Sequence, residues 1–165
     1  MKVAFFPGSF KPPHIGHYTL IKELLPKVDR LYILISNKPR DGILAKESKK
    51  IWEIYLNSNN RKKIQIVITN KSPILEVFKI LREERWTSED TIYLIKSSKN
   101  SKNKRFDLFK RLKLNIKEKV LPKFKTISST NMRQALLNKD FRTFQKFLPL
   151  HLTKKKEETI YKMLL

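Results

Sequence analysis

The chain has 165 residues, 40% of them hydrophobic, with 37 basic against 15 acidic side chains, a formal net charge of +22 and no cysteine. This length fits one domain, residues 1–165, large enough to bury a core. Disulfides and thiolate metal sites are excluded, no apolar run reaches the ~18 residues of a membrane span, and a strand at the very start leaves no room for a signal peptide, so a cytoplasmic protein without a membrane partner is expected.

Strand and helix patterns alternate along the chain. Residues 2–6 are apolar after Lys2 and rich in β-favouring side chains, and Pro7 and Gly8 end them. A helix is predicted over 16–28, with Leu20, Ile21, Leu24 and Leu25 on one face. The apolar run 31–36 suits a buried parallel strand. A loop over 37–44 leads to a helix over 45–57, with Ile51, Ile54 and Tyr55 inward. Residues 64–69 alternate apolar and polar except at Val67, as an edge strand does. Ser72 and Pro73 then open a helix over 73–85.

A fourth strand is predicted over 91–96, followed by a polar, basic loop at 97–104 and a short helix at 105–114. Residues 120–126 read as a fifth strand, held to a sheet edge by Pro122. A helix follows over 128–138, completing a core of 1–138. The tail, 139–165, reads as two helical pieces broken near Pro149, with Ile160, Tyr161, Leu164 and Leu165 to dock. Trp52 and Trp86 read as packing residues, and His151 as a surface residue without partners. The whole pattern predicts an α/β fold, a Rossmann-like, doubly wound, five-stranded parallel sheet with helices on both faces. Ligands of such sheets sit beyond the carboxyl ends of the strands, beside strand one.

That place is filled by Gly8, Ser9, Phe10, Lys11, Pro12, Pro13, His14, Ile15, Gly16 and His17. A strand-to-helix turn offers an anion the free amides and positive dipole of the helix start, here flanked by two histidines three residues apart. A second anion-binding pattern lies at Ser128, Ser129 and Thr130, which open a helix and precede Arg133 by one turn. The loop after strand two carries Lys38 and Arg40, and the loop after strand four leads to Lys99, Lys104 and Arg105. Taken singly, each of these is an ordinary cap or solvated charge.

Together they match a family. The string G-S-F-x-P-P-H-x-G-H at 8–17 resembles the signature of the nucleotidyltransferase superfamily of cytidylyltransferases and of phosphopantetheine, nicotinamide- and nicotinate-mononucleotide adenylyltransferases. Its His14-Ile15-Gly16-His17 also matches the HIGH signature of class I aminoacyl-tRNA synthetases, and Ile127 to Arg133 resembles the I-S-S-T-x-[IM]-R signature of the adenylyltransferases. The resemblance implies the strand order 3-2-1-4-5 and transfer of a nucleotidyl group from an NTP, ATP favoured, to a phosphorylated small molecule, with release of pyrophosphate. It implies that His14 and His17 contact phosphate oxygens, that Lys38 and Arg133 act with them, and that Gly8, Ser9, Phe10, Gly16, Ser128, Ser129 and Thr130 line the nucleotide. It implies Mg²⁺ held mainly by substrate phosphates, with no dedicated protein ligands. Many members have Asp where this chain has Lys11, which then either touches a phosphate or faces solvent. A CTP-dependent cytidylyltransferase and a basic RNA-binding protein on the same fold stay open as alternatives; the high charge serves anionic small ligands or nucleic acid.

Overall fold

The structure, a computed structural model, describes residues 1–97 and 104–165. Its parallel sheet has five strands, β1 (Lys2–Gly8), β2 (Arg30–Ser36), β3 (Ile64–Thr69), β4 (Thr91–Lys96) and β5 (Asn115–Val120), in the order β3-β2-β1-β4-β5. The expected sheet and strand order are both present. The helices are α1 (Ile15–Leu24), α2 (Ala45–Tyr55), α3 (Ser58–Arg61), α4 (Pro73–Glu83), α5 (Ser129–Leu137), α6 (Phe141–Gln145) and α7 (Lys154–Leu164), with 3-10 turns at Leu25–Lys27 and Lys104–Leu112.

The alternation of side chains along each strand divides the core into two layers. Ala4, Phe6, Leu31, Ile33 and Ile35 face one side, where Ile21 and Leu24 of α1, Ile51 and Trp52 of α2 and Met132 of α5 meet them. Val3, Phe5, Tyr32 and Leu34 face the other, under Val77 and Leu81 of α4 and under Phe106 and Phe109. Each large apolar side chain buried in this way contributes ~1.5–3 kcal/mol before chain entropy is counted. The tail joins the first layer. Phe144, Phe147, Leu148, Leu152 and Ile160 are buried there, while Leu165, expected to dock, is exposed.

Several boundaries differ from the sequence-based expectation. The fifth strand is Asn115–Val120 and not 120–126. Its sequence, NIKEKV, hides this, because an outer strand needs only main-chain pairing to β4 and one partly covered face. The apolar residues of 120–126 instead form a loop wall, with Leu121 buried. Helix α1 ends at Leu24, where Pro26 turns the chain into a 3-10 turn, and the short helix near 105–114 is 3-10 throughout. His151 has partners after all: its ring stacks on Tyr18 at 4.8 Å and its Nε2 lies 2.9 Å from the Tyr55 carbonyl oxygen. Trp86 packs against Phe5 as expected, and its indole N–H donates to the Ile80 carbonyl. Among the described residues no helix is long and apolar enough to cross a membrane.

Candidate functional site

Beyond the carboxyl ends of β1 and β4 lies a cavity of about 280 Å³. The turn after β1 forms its floor, through Gly8, Ser9, Phe10 and Lys11. Its walls are His14 and His17 of α1, Arg40 from the loop after β2, the segment from Leu121 to Phe124, and Ser128, Ser129, Thr130 and Arg133 around the start of α5. Lys38 lies outside this lining, on an exposed part of the loop. Gly16 is also outside it; its Cα is covered by the Phe124 ring and the His14 imidazole, which an added Cβ would meet at 2.6 and 2.8 Å. Lys99, Lys104 and Arg105 fall outside the described residues or side chains.

The turn is held from behind. Its five carbonyls from Ser9 to Pro13 each accept a side-chain hydrogen bond. Lys11 Nζ donates to Ser9 at 2.7 Å, Ser48 Oγ to Phe10 at 2.5 Å, and Arg133 Nη1 to Lys11 at 2.9 Å. Ser129 Oγ donates to Pro12 at 2.7 Å and Tyr55 Oη to Pro13 at 2.8 Å. With the carbonyls turned into the protein, the amides of Ser9, Phe10 and Lys11 donate to no described group. Phe10 sits in the left-handed region at φ 52°, so the turn bends as an anion-binding nest does.

The two histidines are caps as well as cavity walls. His14, the N-cap of α1, accepts the Gly16 amide on Nδ1 at 3.0 Å, and His17 Nδ1 accepts the His14 amide at 3.0 Å. A ring nitrogen that accepts carries no proton, so both imidazoles are neutral with the proton on Nε2. Burial favours the same state. It lowers the His14 pKa to about 4, and burial together with the neighbouring His14 holds His17 well below the usual range. The rings stack with centroids 3.7 Å apart. The pair therefore offers two N–H donors and no charge.

This corrects one expectation. The amides at the start of α1 are not free for a ligand: Ile15 donates to the Phe147 carbonyl at 2.8 Å and Gly16 to His14. At α5 the amides of Ser129 and Thr130 donate to no described group, while Ser128 caps Asn131 at 3.0 Å. The charge comes from Arg40, Lys11, Lys123 and Arg133. Arg133 is largely buried, with Nε donating to Asp41 at 2.7 Å and Nη2 to Thr130 Oγ1 at 3.3 Å. Lys11 resolves its two options differently from either: it is wholly buried beneath the turn.

Sequence reasoning places Tyr55 inward without giving it a role in the site, and passes over Ser48, Asp41 and Phe124. The signal for Ser48 was present, since a serine shares the buried stripe Ser48, Ile51, Trp52 and Tyr55 of α2. Asp41 stands at φ 48° beside Gly42 in a tight turn closed by the Arg40–Ile43 bridge, and only the fold brings it to Arg133.

The model of the cytidylyltransferase-like family matches residues 5–135, most of the chain and every wall of this cavity. The chain belongs to that family. Among curated relatives, the phosphopantetheine adenylyltransferase of Mycoplasma mycoides subsp. mycoides is 35% identical over 71 residues, 41% of this chain and 49% of its own length. The nicotinamide-nucleotide adenylyltransferase of Pyrobaculum neutrophilum is 49% identical over 56 residues, 32% of this chain and 31% of its own. The matches to these cytidylyltransferase-like relatives thus span about half of their length or less. The solved Plasmodium falciparum nicotinic acid mononucleotide adenylyltransferase, complexed with APC, shares the fold with a TM-score of 0.63 at 15% identity, over 99% of this chain and 96% of that one.

Proposed function

We propose that this chain is an adenylyltransferase that moves the adenylyl group of ATP to the phosphate of a small molecule and releases pyrophosphate. One observation carries the reading: unpaired turn amides, two neutral imidazoles with Nε2–H, the open start of α5 and the Arg40 and Arg133 guanidiniums all border one cavity. Such a cavity suits a triphosphate. An acceptor phosphate oxygen attacks the α-phosphorus in line, the bond to the β-phosphate oxygen breaks, and pyrophosphate leaves. No protein nucleophile is needed, and catalysis consists of positioning and of donors aimed at developing charge. His14 and His17 supply such donors, and Ser129 and Thr130 offer amides to the phosphates. The names of the two curated relatives above, both adenylyltransferases, support ATP as the donor.

Among the described residues the cavity lining contains no carboxylate, and no three His, Asp or Glu gather as a metal site. The residues fit a divalent cation such as Mg²⁺ carried in by the triphosphate, not one held by the protein. Pyrophosphate release from ATP with phosphopantetheine, nicotinamide nucleotide or nicotinate nucleotide tests the reading, alongside thermal shifts with the four NTPs. ATP is expected to raise the melting temperature and one acceptor to start turnover. Stabilisation by CTP and not by ATP overturns the donor assignment.

A further inference from the structure

We propose that Lys11 is a positioning residue for the polyphosphate: its buried ammonium, clamped beneath the turn, is a fixed positive charge that only a bound anion balances. The proposal rests on the nucleotidyl-transfer reading and adds to it a residue whose role was open.

Lys11 is 0% exposed, and its Nζ donates to the Ser9 carbonyl at 2.7 Å and to the Ser36 carbonyl at 2.8 Å. Those bonds tie the turn after β1 to the end of β2. Carbonyl dipoles orient an ammonium without neutralising it, and none of the described ion pairs includes Lys11. A buried charge without a counter-charge is costly, so folds tolerate it where something else supplies the balance.

The surroundings do not supply it. Helix α1 presents His14 and His17, both neutral. The loop after β2 presents Arg40, a second cation, and Asp41, which is spent on Arg133 of α5 at 2.7 Å, and the segment after β5 presents Lys123, a further cation. Burial, with the like charge of Arg40, lowers the Lys11 pKa to about 8. Lys11, Arg40 and Lys123 thus have no carboxylate partner among the described residues, beside the cavity that all three line. A neutral donor could hold the two carbonyls equally well. The charge has a use only when an anion enters, and then it acts through the turn whose amides meet that anion.

Calorimetric titration of inorganic tripolyphosphate into the full chain between pH 7 and pH 9.5 tests this. Lys11→Gln keeps a donor for the carbonyls and Lys11→Met keeps the length; circular dichroism checks that each folds. Both are expected to bind ~tenfold more weakly than wild type at pH 7. The gap should close as the pH rises past 8, because the wild-type lysine then loses its proton. A gap under twofold at pH 7, or one unchanged at pH 9.5, overturns the proposal and leaves the nucleotidyl-transfer reading standing. If neither variant folds, wild type decides alone: binding above pH 8 must take up protons, seen as a heat that varies with the buffer, and its absence overturns the proposal. If wild type does not bind tripolyphosphate at all, both the proposal and the reading fall.

Discussion

Two helix starts border one cavity, and they use their amides differently. At α1 the first amides are taken by Phe147 and by His14, which leaves the ring edges of His14 and His17 as the donors. At α5 a single cap, Ser128, takes the Asn131 amide, and those of Ser129 and Thr130 stay open. The contrast separates two ways of holding a phosphate. Helix α1 converts backbone donors into rigid side-chain donors, and α5 presents the backbone itself with its dipole. Rigid, neutral N–H groups suit charge that develops during reaction, while an open helix start suits charge present from the outset.

The largest expected effect therefore lies on α1. His17→Ala should lower kcat by about 10³ with far less change in nucleotide affinity, as removing a donor to developing charge does. His14→Asn sharpens the point. An asparagine oxygen can still accept the Gly16 amide, so the cap survives while the Nε2–H is lost. Its turnover should fall about 100-fold with stability near wild type, read by steady-state kinetics beside thermal melts. If the melting temperature falls with activity in both variants, the histidines are caps first and the contrast is broken.

The same buried rings should write a pH signature on stability. The His14 pKa is lowered from 6.5 to about 4, so the unfolded chain binds the proton more tightly than the folded one. That stability is complete above pH 6.5 and is lost as the pH falls toward 4, with His17 acting in the same direction. Melting curves between pH 7 and pH 4 should show this loss in wild type and a shallower one in His14→Asn. Equal slopes would mean that the rings are not held neutral by burial.

Proline at the first residue of each helix compares the amides directly, because it deletes one N–H without breaking the helix. Both preceding caps, His14 and Ser128, are already extended as proline requires. Ile15→Pro should cost ~1 kcal/mol of stability through the lost bond to Phe147 and leave nucleotide affinity alone. Ser129→Pro should weaken nucleotide binding ~tenfold. Ser129→Ala is its control, since Ser129 Oγ also holds the Pro12 carbonyl. Equal losses of affinity from the two prolines would erase the distinction.

The features that announced the site in the sequence were those that act locally. The apolar run Leu31 to Ile35 forms a buried inner strand beside β1, and the serines at 128 and 129 stand at a helix start, whereas Pro7 and Gly8, expected to end the first strand, still pair with β2 as its last two residues. The features that were hidden depend on residues far along the chain. Nothing near Ile15 says that its amide belongs to Phe147. A lysine in a chain of this charge reads as solvated, so the burial of Lys11 becomes visible only once β1 and β2 lie side by side. Strand β5 is hidden in the sequence because Lys117, Glu118 and Lys119 carry no apolar signal, whereas Leu121 and Phe124, which do, serve the cavity wall.

The smallest expected effect concerns Asp41, which occupies Arg133 from outside. Its carboxylate is half exposed, on a turn closed by the Arg40–Ile43 bridge, while the guanidinium it meets is buried. A surface carboxylate facing a buried arginine is a weak partner, worth up to ~1 kcal/mol. It also holds Nε, the donor that a phosphate entering beside α5 would seek. Asp41→Asn keeps the shape and removes the competing charge, so the affinity for ATP should rise, by up to about fivefold. Arg133 keeps its bonds to the Lys11 carbonyl and Thr130 in either case, which holds it in place without Asp41. A fall in affinity instead would make Asp41 the residue that aims Arg133, and α5 would then resemble α1, with its charge presented only through a side-chain intermediary.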